Sequence, residues 1–157
     1  MTRAYGRCTA AAIALVVAAC SQGGSDAGEI SHAPDGASAA TGGLCKLLSR
    51  DEIAAAVGSP VADGNVAGPL GSGCQWELAN ERSVMIQVVP RDYWEDGTNA
   101  PGSEALADIG EKAFVGPWLD DQRAGALTLN GAVYVISPSR DASVTLLRQV
   151  ATRVPPQ

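Results

Sequence analysis

The chain has 157 residues, a length that argues against more than one domain, and 46% hydrophobic residues are enough for one globular core. With 11 Lys+Arg against 17 Asp+Glu it carries a net charge of −6, a balance that argues against nucleic acid as a partner. Charged residues are only 18% and aromatics 4%, whereas Gly 18 and Pro 9 are generous counts, so a coiled coil or long solvated helices fit poorly.

In chain order, residues 1–19 place Arg3 and Arg7 ahead of the apolar run Ala10–Ala19. As a helix that run rises about 15 Å, half of the ~30 Å hydrocarbon core, so it reads as a signal peptide and not as a membrane span. It ends in Val17-Ala18-Ala19-Cys20, which resembles the lipobox of bacterial lipoproteins. The resemblance implies a diacylglyceryl group on Cys20, palmitate-type acyl chains in a membrane, and a mature protein that begins at that cysteine. The expected location is then the cell membrane or outer membrane, facing the periplasm or exterior. An ordinary secretory signal followed by an unmodified cysteine is the plainer reading of the same residues. Ser21 stands where lipoproteins retained at the inner membrane of double-membrane bacteria carry Asp, which leaves the choice of membrane open.

Residues 20–43 form the lipidated cysteine and a linker. Ser21–Gly43 is dominated by Gly, Ser, Ala and Asp, with one Ile and no aromatic, and cannot bury enough surface to order itself. As a flexible tether it would hold a domain on the order of 25 Å from the membrane. His32, the only histidine, falls here, away from any rigid scaffold that a catalytic base or metal ligand needs. Of the four cysteines, Cys8 lies in the signal segment and Cys20 in the lipobox, so an even pair remains. In an oxidising compartment that pair favours a Cys45–Cys74 disulfide. A metal or redox site competes, but there is neither Cys-x-x-Cys spacing nor a neighbouring histidine, and no metal or cofactor is expected.

The folded part is expected over residues 44–157. Ser49-Arg50-Asp51-Glu52 is a capping box, Ile53, Ala56 and Val57 follow at helical spacing, and Gly58-Ser59-Pro60 stops the helix. Gly68–Gly73 reads as a turn; it lacks the Lys that a phosphate loop needs. Cys74–Leu78 alternates as a half-buried strand with Cys74 and Trp76 inward. After a turn at Asn80, Ser83–Val89 puts Val84, Ile86 and Val88 on one face and Met85, Gln87 and Val89 on the other, which predicts a strand lying centrally in the sheet. Pro90–Pro101 is a loop. Lys112–Val115 predicts a short strand, Gly116–Asp121 a turn carrying Trp118, and Arg123–Leu129 with Ala132–Ser137 a hairpin about Asn130-Gly131, the signal of a type I′ turn. Val144, Leu147, Val150, Ala151 and Val154 predict a closing helix capped by Asp141 or Ser143 and stopped by Pro155-Pro156. That order implies an α+β fold, an antiparallel sheet with two helices packed on one face, after the signal peptide and tether.

Leu44-Cys45-Lys46-Leu47-Leu48-Ser49-Arg50-Asp51-Glu52, then Gly58, Cys74-Gln75-Trp76, Ile109–Phe114 and the closing helix resemble the small actinobacterial-type lipoproteins of unknown function. Those pair a Cys-x-Leu-Leu-x-x-x-Glu helix start with a Cys-x-Trp strand. The resemblance spans most of residues 44–154, although Gly43-Leu44 stands where the family often has Asp-Pro. It implies a Cys45–Cys74 disulfide, surface attachment and no established activity.

Catalytic motifs are thin: no Gly-x-Ser-x-Gly, Ser-x-x-Lys, His-Glu-x-x-His or Walker loop occurs. Glu77, Asp92, Glu95 and Asp96 could serve a carboxylate-dependent envelope hydrolase, the alternative reading. The preferred reading is a non-enzymatic, lipid-anchored binding or interaction module for an envelope protein, glycan or small ligand. Its expected surface is Tyr93 and Trp94, in a loop beside Asp92, Glu95 and Asp96, with Trp118 on that surface or beneath it; the plainer reading of the same residues is that Tyr93 and Trp94 close the end of the hydrophobic core. The acidic spacing does not match a calcium loop.

Overall fold

The computed structural model describes residues 43–68 and 72–155. The signal segment with Cys8, Cys20, His32, the tether up to residue 42, residues 69–71 of the glycine-rich turn, and residues 156–157 lie outside the described residues. No helix among the described residues is long and apolar enough to cross a membrane.

A 3-10 helix at Leu44–Lys46 leads into α1 at Arg50–Val57. The capping box forms as its residue types require: Ser49 Oγ accepts from the Glu52 N–H at 3.2 Å, and the Glu52 carboxylate accepts from the Ser49 N–H at 2.8 Å. Gly58 closes α1 at φ +70°, a left-handed conformation open to glycine at little cost. Seven strands follow: β1 (Asn65–Ala67), β2 (Gly73–Glu77), β3 (Ser83–Val89), β4 (Glu104–Ala105), β5 (Lys112–Trp118), β6 (Asp121–Thr128) and β7 (Gly131–Ser137), before α2 (Arg140–Ala151).

The strands make one sheet in the order β1-β2-β3-β7-β6-β5-β4, antiparallel throughout. It is two meanders, β1-β2-β3 and β4-β5-β6-β7, joined where β3 pairs with β7. Strand alternation sorts the side chains into two faces. Cys74, Trp76, Val84, Ile86, Val115, Ala124, Val133 and Val135 point to the face covered by Ile53 of α1 and Leu146, Leu147 and Val150 of α2, forming the main core. The fold is therefore α+β with both helices on one face. Phe114, Ala132 and Tyr134 point the other way and collect Val89, Trp94 and Leu127 into a second, smaller cluster.

Cys45 and Cys74 form the disulfide, with Cα atoms 5.2 Å apart. It ties the 3-10 helix to β2 at a fully buried point beside Trp76. Arg153 carries the join further: its guanidinium donates to the Leu47 carbonyl at 2.8 Å and to Glu52 at 2.7 Å, clamping the end of α2 to the start of α1.

Four local expectations need correction. The cap of α2 is Ser139, whose side chain accepts from the Ala142 N–H at 3.2 Å, and neither Asp141 nor Ser143 takes that place. Ser143 is buried instead, bonding Ser137 Oγ at 2.8 Å and the Gln122 carbonyl at 3.1 Å, so it joins the helix to the sheet. Strand β5 continues through Gly116, Pro117 and Trp118, and the turn is Leu119-Asp120. Pro117 is accommodated because β4 stops pairing at Val115, leaving that side of β5 an edge where a missing N–H is not needed. The β6–β7 hairpin forms, but its loop is Leu129-Asn130, with Thr128 opposite Gly131. Neither loop residue has positive φ, so the turn is not type I′. Thr128 Oγ1 takes over, donating to the Gly131 carbonyl at 2.9 Å and accepting from the Asn130 N–H at 3.2 Å. Finally, β3 is paired on both sides as expected of an interior strand, but the middle strand of the seven is β7.

Candidate functional site

The topology creates the site. From β3 the chain must reach β4 at the far edge, so residues 90–103, which open with a 3-10 helix at Arg91–Tyr93, pass over β7, β6 and β5 on the face opposite α1 and α2. Arg91 anchors the start of this crossing with a bidentate pair to Glu111, both contacts 2.8 Å, and a bond to the Thr128 carbonyl. The same guanidinium holds the Glu111 carboxyl below its usual range. Trp94 then lands on the sheet: its ring stacks on Tyr134 at 5.8 Å between centroids and 11° between planes, and is tilted against Phe114 at 5.7 Å.

Backbone bonds lock the crossing in place. The Glu95 N–H donates to Tyr134 Oη at 2.6 Å, and that hydroxyl donates to the Tyr93 carbonyl at 3.3 Å. Burial pushes the Tyr134 phenol above its ordinary pKa. Gly125 lies opposite both Phe114 and Tyr134 in the ladder. A Cβ there would sit 2.6 Å from the Phe114 ring and 3.0 Å from that of Tyr134, so the glycine is the space the rings occupy.

Two residues back along β6, on the same face, is Arg123. Its guanidinium carbon lies 4.3 Å from the Tyr134 ring centroid, 4.6 Å from Trp118 and 5.8 Å from Phe114. Nη2 donates to Glu95 at 2.7 Å, and the side chain is only 13% exposed. The crossing and β5 leave a cleft of about 220 Å³, lined by Glu95, Asp96, Ser103, Phe114, Trp118 and Arg123 among others. Asp96 accepts from the Thr98 hydroxyl at 2.7 Å and the Thr98 N–H at 3.0 Å. With Lys112 at 3.7 Å, these bonds hold its carboxyl below the usual range.

The residues expected to form a binding surface take three different environments. Tyr93 is 70% exposed and joins the cluster through its backbone carbonyl. Trp94 is half-buried under the stacking just described, and its Nε1 has no hydrogen-bond partner among the described residues. Trp118 is 42% exposed and lines the cleft. Arg123, Tyr134 and Phe114 are not among the site residues that the sequence suggests. Two signals in the sequence bear on them: Arg123, Gly125 and Leu127 alternate with buried alanines, and a glycine inside a strand marks the close approach of a ring.

Of the four candidate carboxylates only two share a pocket. Glu95 and Asp96 line the cleft, Asp92 is exposed, and Glu77 lines a separate open hollow of about 320 Å³ at the β2–β3 turn, whose lining holds no aromatic. Among the described residues no three His, Cys, Asp or Glu side chains are grouped to hold a metal ion. Comparison with protein-family models, curated proteins and solved structures finds no match for this chain.

Proposed function

We propose that the protein is an exported lipoprotein, anchored through acyl chains on Cys20, that works as a binding module with the sheet face opposite α1 and α2 as the recognition surface. The anchor reading rests on the charged head, apolar run and Val17-Ala18-Ala19-Cys20, and the disulfide fits an oxidising compartment. One observation supports the binding role above all. Arg123 is withdrawn from solvent between aromatic rings in a cleft that keeps Trp118 exposed and two carboxylates at its rim. Such a convergence of apolar walls with a few fixed polar groups is how small-ligand sites are built. The hydrolase alternative needs one carboxyl group kept protonated as an acid. Asp96 is held the opposite way, and Glu95 is paired with Arg123, so binding is the better-supported reading.

Mass spectrometry of the N-terminal peptide from native envelopes tests the anchor: an acylated Cys20 is expected, and a membrane-free, unmodified Cys20 would overturn it. Crosslinking in the same envelopes tests the surface. An adduct formed by the native protein should be lost in Trp118→Ala while the melting temperature stays within a few degrees. An adduct pattern indifferent to Trp118 would move the recognition surface elsewhere.

A further inference from the structure

Building on the reading of this face as the recognition surface, we infer that the cleft binds one ring of a neutral carbohydrate, stacked on Trp118 and hydrogen-bonded to Glu95, Asp96 and Ser103. Size comes first. At about 220 Å³ the cleft is smaller than the roughly 300–1,000 Å³ that encloses a drug-sized ligand, so it takes a single ring with the rest of the molecule outside.

Charge comes second. An anion would meet Glu95 and Asp96 at the rim of a protein of net charge −6, and the one guanidinium in the lining already serves Glu95. A cationic ligand would have to displace Arg123 from Glu95 or Lys112 from Asp96, because each carboxylate already has a cationic partner. A purely apolar ligand would desolvate two carboxylates without replacing their water. What remains is a neutral ring with one apolar face and several hydroxyl donors. Glu95 Oε2 is taken by Arg123, but its other oxygen has no hydrogen bond to the described residues and can accept from such a donor. Arg123 covers one face of Trp118, 4.6 Å from its centroid, and fixes the ring, so the sugar stacks on the part of the indole that stays exposed.

The test is an amide chemical-shift titration of the full chain in detergent. The probes are neutral methyl pyranosides of glucose, galactose, mannose and N-acetylglucosamine, with glucuronate and glucosamine alongside. Saturable shifts at the amides of Glu95, Asp96, Gly97, Gly116 and Trp118 are expected for at least one neutral sugar, with a dissociation constant in the millimolar range. Trp118→Ala should weaken them about tenfold or more and Trp118→Phe much less, both on an unchanged fold. Glu95→Gln, which exchanges a charged acceptor for a weaker one, should weaken binding severalfold. No saturation with any neutral sugar, saturation with the charged sugars alone, or equal response in Trp118→Ala would overturn the inference. If the sugars fail while the Trp118-dependent crosslink in envelopes persists, the sugar is wrong and the surface stands; if the crosslink is also indifferent to Trp118, both fall.

Discussion

Tyr93 and Trp94 are adjacent in the chain and opposite in energetics. Trp94 loses its stack on Tyr134 and its edge on Phe114 when truncated, so Trp94→Ala should cost about 2–3 kcal/mol, below the range for a fully buried aromatic because the ring is only half-buried. Tyr93→Ala should stay within about 0.5 kcal/mol. Urea unfolding separates the two, and a neutral Trp94→Ala would show that the ring cluster holds nothing together. Glu52 supplies a pH-dependent term. Hydrogen bonds from Arg153 and Ser49 lower its pKa from 4.5 to about 2. Its stabilisation is therefore complete above pH 4.5 and is lost as the pH falls through the folded-state value near 2. Because the carboxylate is 35% exposed, solvent screening limits the effect to roughly 1 kcal/mol. Glu52→Gln should show that deficit at pH 7 and little of it near pH 2, measured by chemical denaturation at each pH.

At the scale of elements, α1 and α2 begin with the same chemistry and differ in how openly the sequence displays it. Ser49 and Glu52 form a complete capping box, a pattern that needs only four consecutive residues to recognise. Ser139 caps α2 without a reciprocal carboxylate, three places from the Ala142 it serves, so Asp141 and Ser143 were equally plausible on local grounds. Ser139→Ala should cost about 1 kcal/mol through the loss of a cap. Ser143→Ala should cost about 1–3 kcal/mol because it strands Ser137 Oγ, a buried hydroxyl, with one partner fewer. Thermal unfolding of the two variants ranks them, and equal, negligible losses would mean that the helix is held by its apolar face alone. The β6–β7 turn shows the same limit. Asn130-Gly131 has the residue types of a type I′ turn, but the β6–β7 register, with Thr128 opposite Gly131, and the Thr128 hydroxyl set the loop one residue earlier.

Across the molecule, the disulfide is the longest-reaching constraint among the described cysteines. It closes a separation of 29 residues and should stabilise the protein by about 3–4 kcal/mol on the chain-entropy account. Cys45→Ala/Cys74→Ala, or full reduction, should lower the midpoint of urea unfolding accordingly, and an unchanged midpoint would show that the unfolded chain is restrained by something else. The sequence by itself determined what depends on neighbours: the helix over Arg50–Val57, the alternation of β2 and β3, the hairpin of β6 and β7, the pairing of the two remaining cysteines and, from their order, the α+β class. Only the tertiary structure decided that β3 joins β7, because strand order is set by which apolar faces can be buried together and not by any short window of residues. From that join follows the crossing of residues 90–103 over the face opposite α1 and α2, and with it the meeting of Trp94, Phe114, Trp118, Arg123 and Tyr134. The aromatics were visible in the chain, but the cation they surround was not, since its selection depends on contacts between residues far apart in sequence.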